Sequence, residues 1–164
     1  MQVDWDDVGN EGVALLQELL RFDTTNPPGN ELPLALYLEG LLKGEGLDPQ
    51  VLKSTPERGN VVVRLKGTGK KRPLLLLSHT DVVPAEPDKW THPPFAGEVA
   101  DGYVWGRGAF DSKLTAVVGI QVIRLCKRLG LPLERDLVVA AAGDEEMGAT
   151  YGVRWLAEHH PEVF

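Results

Sequence analysis

The chain has 164 residues, of which 43% are hydrophobic and 25% charged, and its formal net charge is −7. This length suits one domain with a substantial core, and an acidic chain argues against nucleic-acid or anionic membrane partners, which attract clustered Lys and Arg. A single cysteine, Cys126, excludes both an internal disulfide and a thiolate zinc cluster. The acidic N-terminus has no apolar signal-peptide segment, so a cytoplasmic location is expected.

The first half of the chain contains two predicted helices and three predicted strands. Apolar residues at helical spacing predict a helix over 11–22, which ends before the turn-forming stretch 24–29. A second helix is predicted over about 31–43, because Pro33 suits a first helical turn and glycines follow the apolar pattern. Short β-rich runs predict strands at 49–53, 60–66 and 73–78.

The second half begins with a long loop, 81–97, whose length is typical of functional or ligand-covering loops. Asp101-Gly102 between two short β-rich runs predicts a hairpin. A helix is predicted directly after Asp111, a buried strand over 137–142, and a last helix over about 150–159. This alternation predicts an α/β fold, a three-layer arrangement in which helices flank both faces of a sheet.

Two adjacent carboxylates, Glu145 and Glu146, follow the predicted strand 137–142. Neighbouring carboxylates repel each other, so a fold usually holds them together with a positive partner such as a metal ion. If a metal is present, one carboxylate would bind it while the other accepts a proton from water. The competing interpretation is a solvated acidic turn.

His79 and Asp81 close the predicted strand 73–78. Residues two apart in an extended chain point to the same side, so His79 would bind a metal while Asp81 accepts the other imidazole N–H. A surface histidine beside a turn aspartate is the competing interpretation, because such tripeptides are common.

Asp111 follows Gly106 and Gly108 and precedes the helix that the sequence pattern predicts most clearly. It is a third candidate ligand, although a helix N-cap formed by Asp111 or Ser112 would explain the same position. A dinucleotide-binding loop is disfavoured, because Asp111 would place a carboxylate against the pyrophosphate.

Four segments, taken in order, resemble one known family: SHTDVVP at 78–84, W-x-x-x-PF at 90–95, GRGAFDSK at 106–113 and GDEEMGA at 143–149. Each motif is weak alone, but four in this order are specific. They are similar to the co-catalytic zinc peptidases and amidohydrolases, which include aminoacylase, glutamate carboxypeptidase, acetylornithine deacetylase and succinyl-diaminopimelate desuccinylase. The resemblance implies the fold of the zinc-exopeptidase catalytic domain.

The resemblance also implies a role for each candidate residue. His79 would bind the first metal and be oriented by Asp81, while Asp111 would bridge both metals and be followed by a cis peptide bond. Glu145 would be the general base, and Glu146 would bind the second metal. Two Zn²⁺ ions per complete site are expected, with Co²⁺ or Mn²⁺ as substitutes.

The implied reaction is metal-dependent hydrolysis of an amide or peptide bond in N-acyl amino acids or small peptides, of deacylase, dipeptidase or carboxypeptidase type. Members of the family complete the two metal sites with a later acidic residue and a late histidine, and they contain a dimerisation domain. We therefore expect residues 1–164 to be the N-terminal portion of a catalytic domain, inactive alone, from a homodimeric parent. The alternative is a degenerate, non-catalytic fragment with weak metal or partner binding.

Overall fold

The computed structural model describes residues 3–164. In chain order the helices and strands are α1 (Trp5–Arg21), α2 (Leu32–Gly44), β1 (Pro49–Lys53), β2 (Gly59–Leu65), β3 (Leu74–His79), β4 (Glu98–Ala100), β5 (Tyr103–Trp105), α3 (Leu114–Arg128), β6 (Leu137–Ala142) and α4 (Val153–His159). Every predicted helix and strand is present, and most bounds agree with the prediction within one or two residues.

Two helices start at residues that the hydrophobic pattern did not predict. The first helix begins at Trp5 rather than at residue 11, because the Asp4 carboxylate caps it by accepting the backbone N–H groups of Asp6 and Asp7. The last begins at Val153 rather than near 150, because Ala149 has a left-handed φ of 62° within a preceding turn. No helix within residues 3–164 is long and apolar enough to cross a membrane.

The main sheet has the strand order β1-β2-β6-β3. Strands β1, β2 and β6 pair antiparallel, whereas β3 runs parallel to β6 with His79 opposite Ala142. Since β3 and β6 run in the same direction, their carboxyl ends meet at one edge of the sheet. Residues that follow these two strands are therefore neighbours in space.

Alternate residues of the central strands pack into two separate cores. On one face Val63 and Val139 contact a core built from α1, α2 and α3, in which Leu19 and Ile120 are almost completely buried. On the other face Val138 joins the buried residues packed around α4. Helices thus cover both faces, and the predicted three-layer α/β fold is confirmed.

Candidate metal centre

The candidate residues come together where β3 and β6 end. His79 is the last residue of β3, Glu145 and Glu146 follow β6, and Asp111 lies just before α3. The Nε2 atom of His79 lies 3.1 Å from Asp111 Oδ1 and 3.8 Å from Glu145 Oε2. One ligand atom from each of His79, Glu145 and Glu146 lies within 4.8 Å of the other two. Three distant segments of the sequence therefore converge on one point.

This point faces an opening of about 280 Å³ lined by His79, Asp111 and Glu145, among other residues. The side chains of Asp111 and Glu145 are 76% and 58% exposed, whereas that of His79 is 12% exposed. The histidine thus forms the floor of the site, and the carboxylates stand at its rim where a small ligand can reach them.

Contacts with Asp81 hold the imidazole of His79 in one orientation. Its Nδ1 lies 3.0 Å from the backbone carbonyl oxygen of Asp81 and 3.4 Å from the carboxylate Oδ1 of the same residue. If Nδ1 donates its proton there, Nε2 presents a lone pair to the opening. Burial alone lowers the pKa of His79, but hydrogen bonds and charge from Asp81, together with Asp111, raise it to about 9. The negative groups around this imidazole also suit a metal cation.

Asp81 has a larger part in this site than the sequence indicated. It is completely buried, and its carboxylate accepts the backbone N–H of Glu145 at 3.0 Å and that of Glu146 at 3.1 Å. Burial raises the pKa of Asp81, but these bonds and those from His79 and Asn26 outweigh it and lower the pKa. Asp81 therefore stays ionised and fixes the turn that carries both glutamates.

The donor set fits a divalent cation of the zinc type. Burial raises the pKa of Glu146, and the nearby Asp111 and Glu145 carboxylates add to the rise while His79 opposes it. A cation among these groups would relieve the repulsion, and one imidazole nitrogen with several carboxylate oxygens suits Zn²⁺.

Asp111 does not act as the N-cap of the following helix. Helix α3 has no side-chain cap, and the Asp111 carboxylate instead contacts His79. The peptide bond between Asp111 and Ser112 is cis, as the family resemblance implied. The N-cap interpretation of Asp111 is therefore wrong.

Lys113 anchors the segment that carries Asp111, a role that the sequence analysis missed. Its side chain is completely buried, and its Nζ donates to the carbonyl oxygens of Leu19 at 3.0 Å and Phe22 at 2.8 Å. These carbonyls end α1, where a lysine is a favourable partner. Burial lowers the pKa of Lys113 to about 8.

A buried polar cluster under the Glu145–Glu146 turn was also missed. Its members, each at most 8% exposed, are Asn26, Glu31, Arg58 and Asp144. No local pattern distinguishes Asn26 or Arg58, because Asn26 lies in a turn-forming stretch and Arg58 in a short loop. Their partners are far away in sequence.

The other histidines lie outside the site. His92 packs against Trp105 and contacts Glu98, while His159 and His160 pack against Trp155.

A histidine and several carboxylates gathered beyond the carboxyl ends of two parallel strands are the arrangement expected of a metallopeptidase-type catalytic domain. The chain belongs to peptidase family M20/M25/M40, whose family model matches residues 75–164. The family resemblance carried by the four motifs is thereby confirmed.

Comparison with relatives shows what share of a family member's length this chain covers. Over 153 residues it is 35% identical to aminoacylase-1 from Sus scrofa, covering 88% of this chain and 37% of the relative. Human carnosine dipeptidase 1 superposes with a TM-score of 0.79 at 21% identity, covering 93% of this chain and 36% of that one. YxeP from Bacillus subtilis, described as a dinuclear metal-binding peptidase, superposes with a TM-score of 0.67 at 18% identity, covering 93% and 39%. The chain thus spans well under half the length of each.

Proposed function

We propose that this chain supplies the N-terminal part of the active site of a zinc-dependent hydrolase. Its substrates would be N-acyl amino acids or small peptides, and the bond cleaved an amide or peptide bond. The observation that carries the proposal is the convergence of His79, Asp111, Glu145 and Glu146 on one accessible point. Family membership and the similarity to aminoacylase-1 support the same chemistry.

In this proposal three side chains hold metal ions. His79 would hold the first ion, Glu146 would hold the second, and Asp111 would hold both, with Co²⁺ or Mn²⁺ as substitutes for zinc. Bound zinc would polarise the scissile carbonyl group and make a water molecule more acidic. The similarity to YxeP, which binds a dinuclear metal centre, supports two ions rather than one.

Glu145 would be the general base. Its exposed carboxylate lies at the rim of the opening, while Asp81 holds its backbone N–H. The side chain can therefore reach a water molecule without moving the buried turn, accept its proton and return that proton to the leaving amine. Asp81 would act on His79 and on this turn, and would not touch the substrate.

The ligand count argues that other residues complete the centre. His79, Asp111 and Glu146 give each of two ions only two ligands, one of them shared, whereas protein zinc sites usually have three or four. We therefore propose that residues 1–164 form the N-terminal portion of a catalytic domain, which binds zinc weakly and is inactive alone. The missing ligands would come from the remainder of a homodimeric parent.

Zinc titration by calorimetry tests this function. It is carried out on the 164-residue chain and on the full-length protein. We expect the full-length protein to bind two zinc ions and hydrolyse an N-acetyl amino acid or a dipeptide, and the short chain to do neither efficiently. His79→Ala should abolish binding at the first site, whereas the exposed His159→Ala should not. Zinc binding without any hydrolysis would favour a non-catalytic role, and turnover by the short chain would refute the ligand-count argument.

A further inference from the structure

We propose that Asn26 and Arg58 are positioning residues for the metal centre, although neither offers it a ligand. They would hold the Glu145–Glu146 turn in its metal-binding shape through Asp81 and Asp144. The expected effect on metal binding rests on the proposed function. The arrangement of the turn, by contrast, can be tested without metal.

Asn26 connects the two carboxylates that flank the turn. It is 2% exposed, and its Nδ2 donates to Asp81 Oδ2 at 2.8 Å and to Asp144 Oδ1 at 2.9 Å. A side-chain amide has two N–H donors, so both are used on these carboxylates. Asn26 is thus the direct link between the aspartate under His79 and the residue preceding Glu145.

Arg58 fixes the orientation of that amide. One guanidinium nitrogen donates to Asn26 Oδ1 at 2.9 Å, and another donates to Asp144 Oδ1 at 2.7 Å. Because the Asn26 oxygen is already taken by Arg58, its NH₂ group must face the carboxylates. The guanidinium also lies 4.9 Å from the centre of the Tyr151 ring, which restricts its own movement.

Arg58 also balances the negative charge of buried carboxylates. The carboxylates of Glu31 and Asp144 are buried within the polar cluster and that of Asp81 is buried beside it, and Arg58 binds both Glu31 and Asp144. Burial raises the pKa of Glu31, while Arg58 counters the rise. Buried charges are costly unless they are paired, so removal of Arg58 would leave carboxylates repelling each other beneath the metal centre.

Two hydrogen bonds to these carboxylates come from the turn itself, and a third comes from the segment that follows it. Asp81 accepts the backbone N–H groups of Glu145 and Glu146, and Asp144 Oδ2 accepts that of Tyr151 at 2.9 Å. Strand β6, by contrast, is held by its pairing with β2 and β3. Loss of Asn26 or Arg58 should therefore loosen the turn first, and small displacements of metal-supporting residues weaken binding strongly.

The experiment compares Asn26→Ala and Arg58→Met with two exposed controls, Asn30→Ala and Arg154→Met. In the metal-free 164-residue chain, amide hydrogen exchange of Glu145 and Glu146 should quicken about tenfold or more in the first two variants, while β6 amides keep their protection. In the full-length protein the zinc dissociation constant should rise about 10- to 100-fold. Asn26→Asp should do more harm than Asn26→Ala, because it adds a carboxylate and removes both donors.

Each alternative gives a different result. If exchange quickens throughout β6 and the folded variants bind zinc normally, Asn26 and Arg58 only stabilise the fold, and the inference is overturned. If the turn loosens as expected but the unaltered full-length protein binds no zinc, the proposed function fails while the positioning of the turn stands. Asn26→Ala combined with Asp81→Asn should weaken zinc binding less than the sum of both; additive effects would contradict transmission through Asp81.

Discussion

The carboxylate of Asp81 accepts the backbone N–H of Glu145 at 3.0 Å, across 64 residues of sequence. The same carboxylate lies 3.4 Å from Nδ1 of His79. One buried aspartate thus connects the histidine that ends β3 to the turn that follows β6. Since these are two halves of the candidate centre, Asp81 sets their separation.

Replacement of Asp81 by asparagine should uncouple these halves. Asparagine has nearly the same shape, but its NH₂ group cannot accept a backbone N–H, so one of the Glu145 and Glu146 bonds is lost. We expect zinc affinity to fall about 10- to 100-fold, measured by calorimetry on the full-length protein. Asp88→Asn, at an exposed position of the following loop, is the matched control. Unchanged zinc affinity in Asp81→Asn would contradict the role given to Asp81.

Glu145 and Glu146 should respond differently to the same substitution. If Glu145 is the base, Glu145→Gln should lower kcat by at least about 100-fold while two metals stay bound. Glu146→Gln should instead lower the metal content, because glutamine replaces an anionic ligand with a neutral one. Metal analysis together with steady-state kinetics of the full-length protein separates these cases. Near-normal kcat in Glu145→Gln would show that the base is another group.

A salt-bridge cluster outside the candidate site predicts a pH effect on stability. Glu45 accepts hydrogen bonds from Arg124 at 2.7 Å and from Arg128 at 2.6 Å, and the bonds from Arg128 and Arg124 outweigh burial and lower its pKa from 4.5 to about 2. A carboxylate with a depressed folded-state pKa stabilises the protein above its unfolded pKa, and this stabilisation is lost as pH falls toward the folded value.

Glu45→Gln should therefore lower the free energy of unfolding by about 1–3 kcal/mol at pH 7, as expected for charged hydrogen bonds. Urea denaturation should show this difference shrinking as the pH falls below 4.5. Glu39→Gln, which removes a surface pair with Lys43, is the control and should cost less than about 1 kcal/mol. A difference that stayed constant with falling pH would mean that Glu45 acts through packing rather than charge.

The fold could be predicted from the sequence because its strands and helices are marked by local patterns. The run Leu137–Ala142 is entirely buried in the sheet, and the helical spacing after Asp111 corresponds to α3. His79, Glu145 and Glu146 could be predicted to lie close together, because residues that follow neighbouring parallel strands meet at one edge of the sheet.

The supporting residues could not be predicted, because their roles depend on long-range contacts. Asn26 bonds to Asp81 across 55 residues, and Arg58 bonds to Asp144 across 86. Nothing near Asn26 distinguishes it from an ordinary turn residue, and no periodicity includes Arg58. The sequence pattern likewise predicts only the contact of Asp81 with the His79 imidazole. The backbone N–H groups that Asp81 also binds cannot be inferred from residue types.

Gly143 and Gly152 are in close contact where the Glu145–Glu146 turn begins. A Cβ at Gly152 would overlap the carbonyl oxygen of Gly143, which is backbone and cannot rotate away. Gly152→Ala should therefore displace the Gly143–Asp144 segment and lower the free energy of unfolding by about 1–3 kcal/mol.

Gly40→Ala is the matched control, because Gly40 lies inside α2 with open space around its missing Cβ. Alanine is the better helix former, so this change should raise the free energy of unfolding by about 0.5–1 kcal/mol. Urea denaturation of both variants under one condition measures the two signs together. A stabilising Gly152→Ala would mean that the turn can move away from α4 without cost.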